Sequence, residues 1–115
     1  MSLFRKRING KYLQDKREFA SRLKFILGFT PGNLELYEIA FIHRSATFTL
    51  PDGKKVNNER LEYLGDAVLD AILSDYLFEK FPDANEGFLT KIRSRIVNRD
   101  VLNQLAISIG INKIL

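Results

Sequence analysis

Apolar residues recur along this chain at intervals of three and four, the spacing that places them on one face of an α-helix. Short polar segments containing glycine or proline separate these apolar stripes. No segment convincingly shows the strict alternation of apolar and polar residues that is typical of a strand. The pattern therefore predicts an all-α fold with five helices, over residues 14–28, 33–44, 58–81, 84–96 and 99–109.

Turn-forming residues mark the boundaries of these helices. Gly28 and Gly110 follow the first and fifth helices, where glycine readily takes the left-handed conformation that ends a helix. Pro82 ends the third helix, because the residue before a proline avoids the helical conformation. Asn33 is a candidate N-cap of the second helix. Residues 45–57 contain a Pro-Asp-Gly turn and two lysines, so we expect a loop there.

The third predicted helix carries a row of carboxylates along one side. At about 100° per residue, four acids fall within an arc of roughly 80°: Glu59, Glu62, Asp66 and Asp70. A seam of larger apolar side chains lies well away from them and consists of Leu61, Leu64, Val68 and Ile72. Further along, Leu73 and Leu77 take the angular position of the acids. We therefore expect the acidic face to be open to water in the N-terminal half of the helix and buried in the C-terminal half.

Two interpretations of this acidic row remain open at this point. Carboxylates three and four residues apart repel each other by a few tenths of a kcal/mol per pair. Water and salt relieve that repulsion, and the helix macrodipole favours the first two acids where they stand. A divalent cation would also relieve it, and Mg²⁺ takes oxygen ligands of this kind. A pair of such ions can hold the attacking and leaving oxygens of a phosphodiester displacement.

Composition narrows the classes of function. The chain has 115 residues, 45% of them hydrophobic, which fits one small folded domain. It has no Cys, which excludes disulfides, zinc–thiolate sites and thiol nucleophiles, and a cytoplasmic location is expected. No run of about 18 apolar residues is present to span a membrane. Residues 1–24 carry eight basic against two acidic residues, net +6, whereas residues 59–86 carry two against eight, net −6. Basic flanks around an acidic centre suit a polyanionic partner, although solvated helix faces explain the same charges.

One stretch resembles a known family. Residues Asn58 to Leu69 have the sequence NERLEYLGDAVL. This segment is similar, nearly position by position, to the signature of the ribonuclease III family of double-stranded-RNA endonucleases. The segment Ile42-His43-Arg44-Ser45 resembles the Thr-His-Arg-Ser segment of that family, and residues 86–94 and 97–99 resemble its next helix pair. The resemblance covers about residues 20–115.

This resemblance implies an all-helical endonuclease domain that works as a homodimer. It also implies that double-stranded RNA is hydrolysed by water with the help of Mg²⁺ or Mn²⁺. This hydrolysis leaves a 5′-phosphate on the product. By motif position, Glu62 and Asp66 are the metal-site carboxylates, and Glu59 lines the cleavage valley with a less direct role. Tyr63 matches the aromatic residue that inserts into a pocket of the partner subunit. The arginines that follow the signature are candidate RNA contacts, although they also fit plain surface charges: Arg93, Arg95 and Arg99.

The chain departs from the family pattern after this point. The family completes its metal site with an Asp-x-x-Glu pair on a later helix. The two such pairs present here, Asp15 to Glu18 and Asp83 to Glu86, stand at the wrong places. We therefore expect a basic N-terminal segment over residues 1–13 and a partial ribonuclease III-like endonuclease domain over residues 14–115. The later acidic motif and the double-stranded-RNA-binding domain are both missing from these residues. Alone, the chain is expected to bind Mg²⁺ weakly and to cut RNA poorly or not at all.

Two rival functions remain. The first is a non-catalytic relative, an RNA-binding or ribosome-associated scaffold, and the second is a plain helical dimerisation module. Retention of all three signature acids argues for catalysis in the intact protein. His43 is expected to pack or to cap a helix rather than to act as a general base.

Assembly is also predicted from the signature helix. Gly65 costs that helix about 1 kcal/mol relative to Ala, which predicts a close approach by a second helix or a partner chain. Dimerisation or segment swapping is expected to bury four large side chains of this helix, Tyr63, Leu69, Leu73 and Leu77.

Overall fold

The computed structural model describes the backbone of residues 12–114 and the side chains of residues 16–114. Within these residues the fold is all-α. Its helices are α1 (Tyr12–Leu27), α2 (Leu34–Ala40), α3 (Glu59–Lys80), α4 (Glu86–Ile96) and α5 (Arg99–Ile109). Two short 3-10 turns cover Arg44–Ala46 and Ile111–Lys113. No described helix is both long enough and apolar enough to cross a membrane. Residues 1–11 of the predicted basic segment lie outside the described residues.

The described residues divide into two compact units. The first contains residues 12–59 and 110–114, and the second contains Arg60–Ile109. Helix α1 begins at Tyr12, and the predicted boundary at residue 13 stays a prediction because residues 1–11 lie outside the described part of the chain.

The first unit is organised around α1, α2 and a small hairpin. Leu23 and Val56 are buried, and the rings of Phe19 and Phe41 meet edge to face with centroids 5.8 Å apart. The Nη1 group of Arg22 donates a hydrogen bond to the backbone oxygen of Lys113 (2.9 Å). This bond ties the last described turn of the chain to α1.

The prediction that residues 45–57 form a loop without strands is wrong. Strand β1 (Phe48–Thr49) pairs antiparallel with β2 (Lys55–Val56). The Pro-Asp-Gly turn joins them, with Gly53 at φ +86° and the Asp52 carboxylate accepting a hydrogen bond from the Lys54 amide (2.9 Å). The two-residue strands are too short to show an alternating pattern, but burial of the Val56 side chain fixes their register.

Helix α2 is also shorter than predicted. It ends at Ala40 instead of residue 44, because its last turn tightens to bonds between residues three apart, from Phe41 to Glu38 and from Ile42 to Ile39. Asn33 stands at the N-cap position as predicted, but its side chain makes no capping hydrogen bond.

A buried carboxylate of α2 is paired with a half-buried lysine of α1. The side chain of Glu38 is 7% exposed, and its Oε1 atom lies 3.3 Å from Nζ of Lys16. Among the described residues this oxygen has no partner in hydrogen-bonding geometry, so the charge of Lys16 compensates it. A buried carboxylate without a counter-charge is strongly destabilising.

We therefore expect Lys16→Met to lower the free energy of unfolding by about 2–4 kcal/mol. The neighbouring Arg17→Met, which removes a positive charge from an exposed position of α1, is the matched control and is expected to change stability by less than about 0.5 kcal/mol. Urea unfolding followed by circular dichroism measures both. Adding Glu38→Met to Lys16→Met is expected to restore most of the loss. Equal effects of the Lys16 and Arg17 variants would show that the pair has no structural role.

The second unit packs α4 and α5 against one side of α3. Leu77 is 2% exposed, and the rings of Phe81 and Phe88 meet edge to face with centroids 5.5 Å apart. The Asn85 side chain caps α4 by accepting a hydrogen bond from the Phe88 amide (2.9 Å). Asn98 fixes the corner between α4 and α5, since it accepts from the Val101 amide and donates to the backbone oxygen of Arg95.

Most of the predicted apolar seam of α3 is not covered, although its first member, Leu61, is half-buried. Leu64, Val68 and Ile72 are 58%, 50% and 60% exposed. In this unit α4 and α5 occupy the opposite side of α3, the side that carries Leu77, so the seam faces away from them. We call Leu64, Val68 and Ile72 the open apolar face. Helix α5 also carries large apolar side chains that are not covered, since Val101, Leu105 and Ile109 are exposed.

Candidate functional site

Two asparagines hold the first turn of the signature helix α3. The Asn57 carboxamide oxygen accepts a hydrogen bond from the Glu59 amide (3.0 Å), while its nitrogen donates to Oγ1 of Thr47 (2.9 Å). Asn58 donates a side-chain hydrogen bond to the backbone oxygen of Ala40 (3.0 Å). The start of α3 is therefore fixed to the end of α2 and to the hairpin segment.

Glu59 lies in the first unit and contacts Arg44 of the Ile42-His43-Arg44-Ser45 segment. Its Oε1 atom is 3.9 Å from Nη1 of Arg44, and both side chains are exposed, so this ion pair contributes little to stability. His43 caps the 3-10 turn, because its Nδ1 atom accepts from the Ser45 amide (3.1 Å) and lies 2.8 Å from Oγ of Ser45. The expected capping role of His43 is confirmed.

Glu62 and Asp66 stand on successive turns of α3 and are both exposed to water. Asp70, the next acid of the row, is half-buried, and Leu77 beyond it is buried. The expected change from an open to a buried acidic face is confirmed. Among the described residues neither Glu62 nor Asp66 forms an ion pair, and no group of three or more His, Asp or Glu side chains stands close enough to hold a metal.

The acidic face opens into a cleft of about 600 Å³ between α3, α4 and α5. Asp66 and Asp70 line one wall, and Arg93 and Arg99 line the other walls together with polar side chains. The complete lining is Asp66, Asp70, Thr90, Arg93, Ser94, Val97, Asn98, Arg99, Leu102 and Asn103. Carboxylates that suit a cation and guanidinium groups that suit a phosphate therefore share one cavity.

The structure divides the residues predicted from sequence. Of the three candidate arginines, Arg93 and Arg99 line the cleft, whereas Arg95 is exposed and is not part of the lining. Of the three candidate acids, Asp66 lines the cleft, Glu62 lies one turn before it on the exposed side, and Glu59 belongs to the other unit. Of these six predicted residues, the same cleft therefore contains only Asp66, Arg93 and Arg99.

Sequence reasoning missed several polar residues of the cleft. Asp70 was part of the acidic row but not of the predicted site. Ser74, one turn further along α3, does not line the cleft but contacts a residue that does, since its hydroxyl accepts a hydrogen bond from Nη1 of Arg93 (2.8 Å). A signal for Ser74 was present, since it continues the angular row of Asp66 and Asp70 with a polar residue where Leu73 and Leu77 begin the buried part.

The signature glycine has no close neighbour within the chain. A Cβ atom built on Gly65 would meet no atom within 4 Å among the described residues. The predicted approach of a second helix to Gly65 is therefore absent inside the described chain. Three of the side chains expected to be buried by assembly are also covered within the chain, at least partly: Leu69, Leu73 and Leu77. Tyr63 differs, being 81% exposed.

Comparison with known proteins identifies relatives of this chain. The Ribonuclease III domain family matches residues 59–115. Ribonuclease 3 of Bacteroides thetaiotaomicron is 50% identical over 90 residues, which cover 78% of this chain and 29% of that protein. Ribonuclease 3 of Azobacteroides pseudotrichonymphae is 44% identical over 115 residues, covering 98% of this chain and 44% of that protein. The chain thus spans less than half the length of these relatives.

A solved structure agrees with the sequence matches. It is the nuclease domain of ribonuclease III from Campylobacter jejuni, described as flexible in a region involved in dimer formation. It is 35% identical, superposes with a TM-score of 0.70, and covers 82% of this chain and 62% of that chain. Signature, fold and relatives agree, and the chain belongs to the ribonuclease III family.

Proposed function

We propose that this chain forms part of a metal-dependent endoribonuclease that hydrolyses double-stranded RNA. The observation that carries the proposal is the cleft of the second unit, where Asp66 and Asp70 face the same cavity as Arg93 and Arg99. Hydrolysis of a phosphodiester needs negative oxygens that hold cations and positive groups that hold the phosphate. This cleft offers both on rigid helices.

The carboxylates fit a divalent cation in chemical type. Glu62 and Asp66 are exposed, hard oxygen donors on adjacent turns of one helix, and neither is committed to a basic side chain among the described residues. Mg²⁺ is often held by one or two carboxylates together with waters and substrate phosphates. When bound, such an ion would activate water and neutralise charge on the phosphate. Because no third ligand stands nearby in the described chain, we infer that Glu62 and Asp66 are part of a larger ligand set.

The other residues of the cleft position the substrate. Arg93 and Arg99 carry planar guanidinium groups that match two phosphate oxygens at once. Thr90, Ser94 and Asn103 add neutral hydrogen-bonding groups to the same wall. Because contacts of this type address the backbone, we expect the protein to select A-form geometry more than base sequence. Glu59 is proposed to have a less direct role than Glu62 and Asp66, and in the first unit its carboxylate lies 3.9 Å from the guanidinium of Arg44.

The rival function is an RNA-binding scaffold without catalysis, which a basic cleft alone would serve. The exposure of Glu62 and Asp66 speaks against it, because two unpaired carboxylates beside the cleft weaken phosphate binding unless a cation neutralises them. We therefore favour the enzyme.

We also propose that two copies assemble through α3, with Tyr63 as the anchor. Tyr63 is 81% exposed and lies on a different side of α3 from the open apolar face. An exposed aromatic side chain on a rigid helix is the type of residue that anchors an interface. The related Campylobacter jejuni nuclease domain has a region involved in dimer formation, which supports a homodimer here.

A cytoplasmic location remains a proposal that rests on the lack of cysteine.

Binding and cleavage assays test the function. The purified chain is titrated with one sequence as an RNA duplex, a DNA duplex and single-stranded RNA, and the RNA duplex is expected to bind tightest. Cleavage is then measured with Mg²⁺ and with chelator. The chain alone is compared with a fused protein, in which the C-terminal residues of the Campylobacter jejuni nuclease domain follow residue 115.

The three functions give different results in these assays. Mg²⁺-dependent cleavage by the fused protein, yielding 5′-phosphate ends and exceeding cleavage by the chain alone, is the expected outcome. Binding without cleavage by a fused protein that circular dichroism shows to be folded supports the scaffold. Failure of both proteins to bind RNA supports a helical dimerisation module and contradicts the enzyme.

A further inference from the structure

We propose that Arg93 is the phosphate-binding residue of the cleft and that Ser74 is the positioning residue that orients it. This inference rests on the proposed function and specifies which of the candidate arginines contacts the RNA backbone beside Asp66. It begins with the hydroxyl group of Ser74, which is half-buried on α3.

The Ser74 hydroxyl has a fixed direction. It donates its single proton to the backbone oxygen of Asp70 one turn earlier (2.6 Å). Its lone pairs therefore point away from the helix backbone, and one of them accepts the hydrogen bond from Nη1 of Arg93 (2.8 Å). A serine that bonds back to the preceding turn is common in helices, but here it also anchors a side chain from α4.

Arg93 differs from the other basic residues of α4. It is half-buried, whereas Lys91 and Arg95 are exposed. Its guanidinium has five N–H donors, and Ser74 engages one nitrogen of the group. Among the described residues Arg93 forms no ion pair, although Asp66 and Asp70 line the same cleft. The charge is therefore held in place without being neutralised.

This combination suits a phosphate located between the two walls of the cleft. A fixed guanidinium loses little conformational entropy when it binds, and its planar fork matches two oxygens of a phosphodiester. The carboxylate wall alone would repel the phosphate, so a positive group on the facing wall is needed for the RNA backbone to enter. Arg99 also lines the cleft but is exposed at the first residue of α5, with no described side-chain anchor.

A purely structural role is the alternative. Arg93 stands in the last turn of α4, where a positive charge interacts favourably with the helix macrodipole, and its bond to Ser74 links α3 with α4. A structural link would alter thermal stability but would leave the RNA affinity of the folded protein and its salt dependence unchanged.

Salt-dependent RNA binding by variants of the chain separates these roles. Arg93→Ala is expected to weaken binding of an RNA duplex about tenfold or more. It is also expected to lower by about 1 the slope of log affinity against log salt concentration. Arg93→Lys keeps the charge, so the slope is expected to stay unchanged while affinity falls by less than in Arg93→Ala. Ser74→Ala is expected to weaken binding a few-fold without a change of slope, because the charge remains and only its orientation is lost.

The control is Lys91→Ala, which removes a positive charge from an exposed position two residues away on the same helix. It is expected to change affinity less than about threefold. Thermal unfolding of every variant shows that binding is compared between folded proteins. If the parent chain binds RNA while Arg93→Ala and Lys91→Ala behave alike, the role of Arg93 is refuted and the proposed function stands. If only the fused protein binds RNA, the same variants are compared in that protein, and if neither protein binds RNA, both proposals are refuted.

Discussion

Replacing Asp66 by Asn is expected to reduce Mg²⁺-dependent cleavage of duplex RNA by the fused protein at least about 100-fold. The amide keeps the size of the side chain but removes the charge that a cation requires. Affinity for the RNA duplex is expected to stay equal or to rise, because a negative group beside the phosphate is lost. Single-turnover cleavage rates and equilibrium binding, measured on the same preparation, separate the two effects.

Asp75→Asn supplies the matched control for this experiment. Asp75 is exposed on the same helix and is not part of the lining of the cleft. Its replacement is expected to leave the cleavage rate within about twofold of the parent. Glu62→Gln is expected to follow Asp66→Asn. If the Asp66 variant cleaves as fast as the Asp75 variant, Asp66 is not a metal ligand.

The second large effect is expected at Tyr63. If this side chain anchors a homodimer, Tyr63→Ala raises the dissociation constant of the dimer about 30-fold or more, the loss typical of a central aromatic contact. Sedimentation equilibrium over a range of concentrations measures it. The exposed position of Tyr63 means that the isolated subunit should keep its thermal stability.

Tyr76→Ala is the control for Tyr63, since Tyr76 lies on the same helix and is 53% exposed. It is expected to leave the dissociation constant nearly unchanged. A parent chain that stays monomeric and folded at every concentration would contradict the proposed dimer. Equal weakening by both tyrosine variants would indicate unspecific association of apolar surface instead of an anchored interface.

The helix boundaries were predictable where the determining residues are local. Helix α5 occupies its predicted range because Asn98 caps its start and Gly110, at φ +89°, follows its end. The hairpin was not predictable, because its two strands have two residues each and its stability depends on burying Val56 against other parts of the first unit. The local sequence predicts the Pro-Asp-Gly turn but not the strands beside it, because a strand of two residues is too short to show a periodic pattern.

The site was predictable in part for the same reason. That Glu62 and Asp66 share one side of a helix follows from the helical repeat alone. Which side of α3 receives its neighbours does not, since both the acidic side and the Leu64 side carry enough apolar residues to pack. The sequence pattern showed an apolar seam on the Leu64 side and predicted burial of the other side only near Leu73 and Leu77. In the structure α4 and α5 use the side of Leu77 and leave Leu64 exposed. The anchoring of Arg93 by Ser74 joins residues 19 positions apart and depends on that choice.

The empty space around Gly65 offers a way to separate folding from assembly. A methyl group at this position would favour the isolated helix by up to about 1 kcal/mol and would collide with nothing in the described chain. Gly65→Ala should therefore yield a subunit that melts at a higher temperature. Any accompanying defect in RNA cleavage would then report a surface that approaches α3 from outside this chain, and the size of that defect would measure how closely it comes.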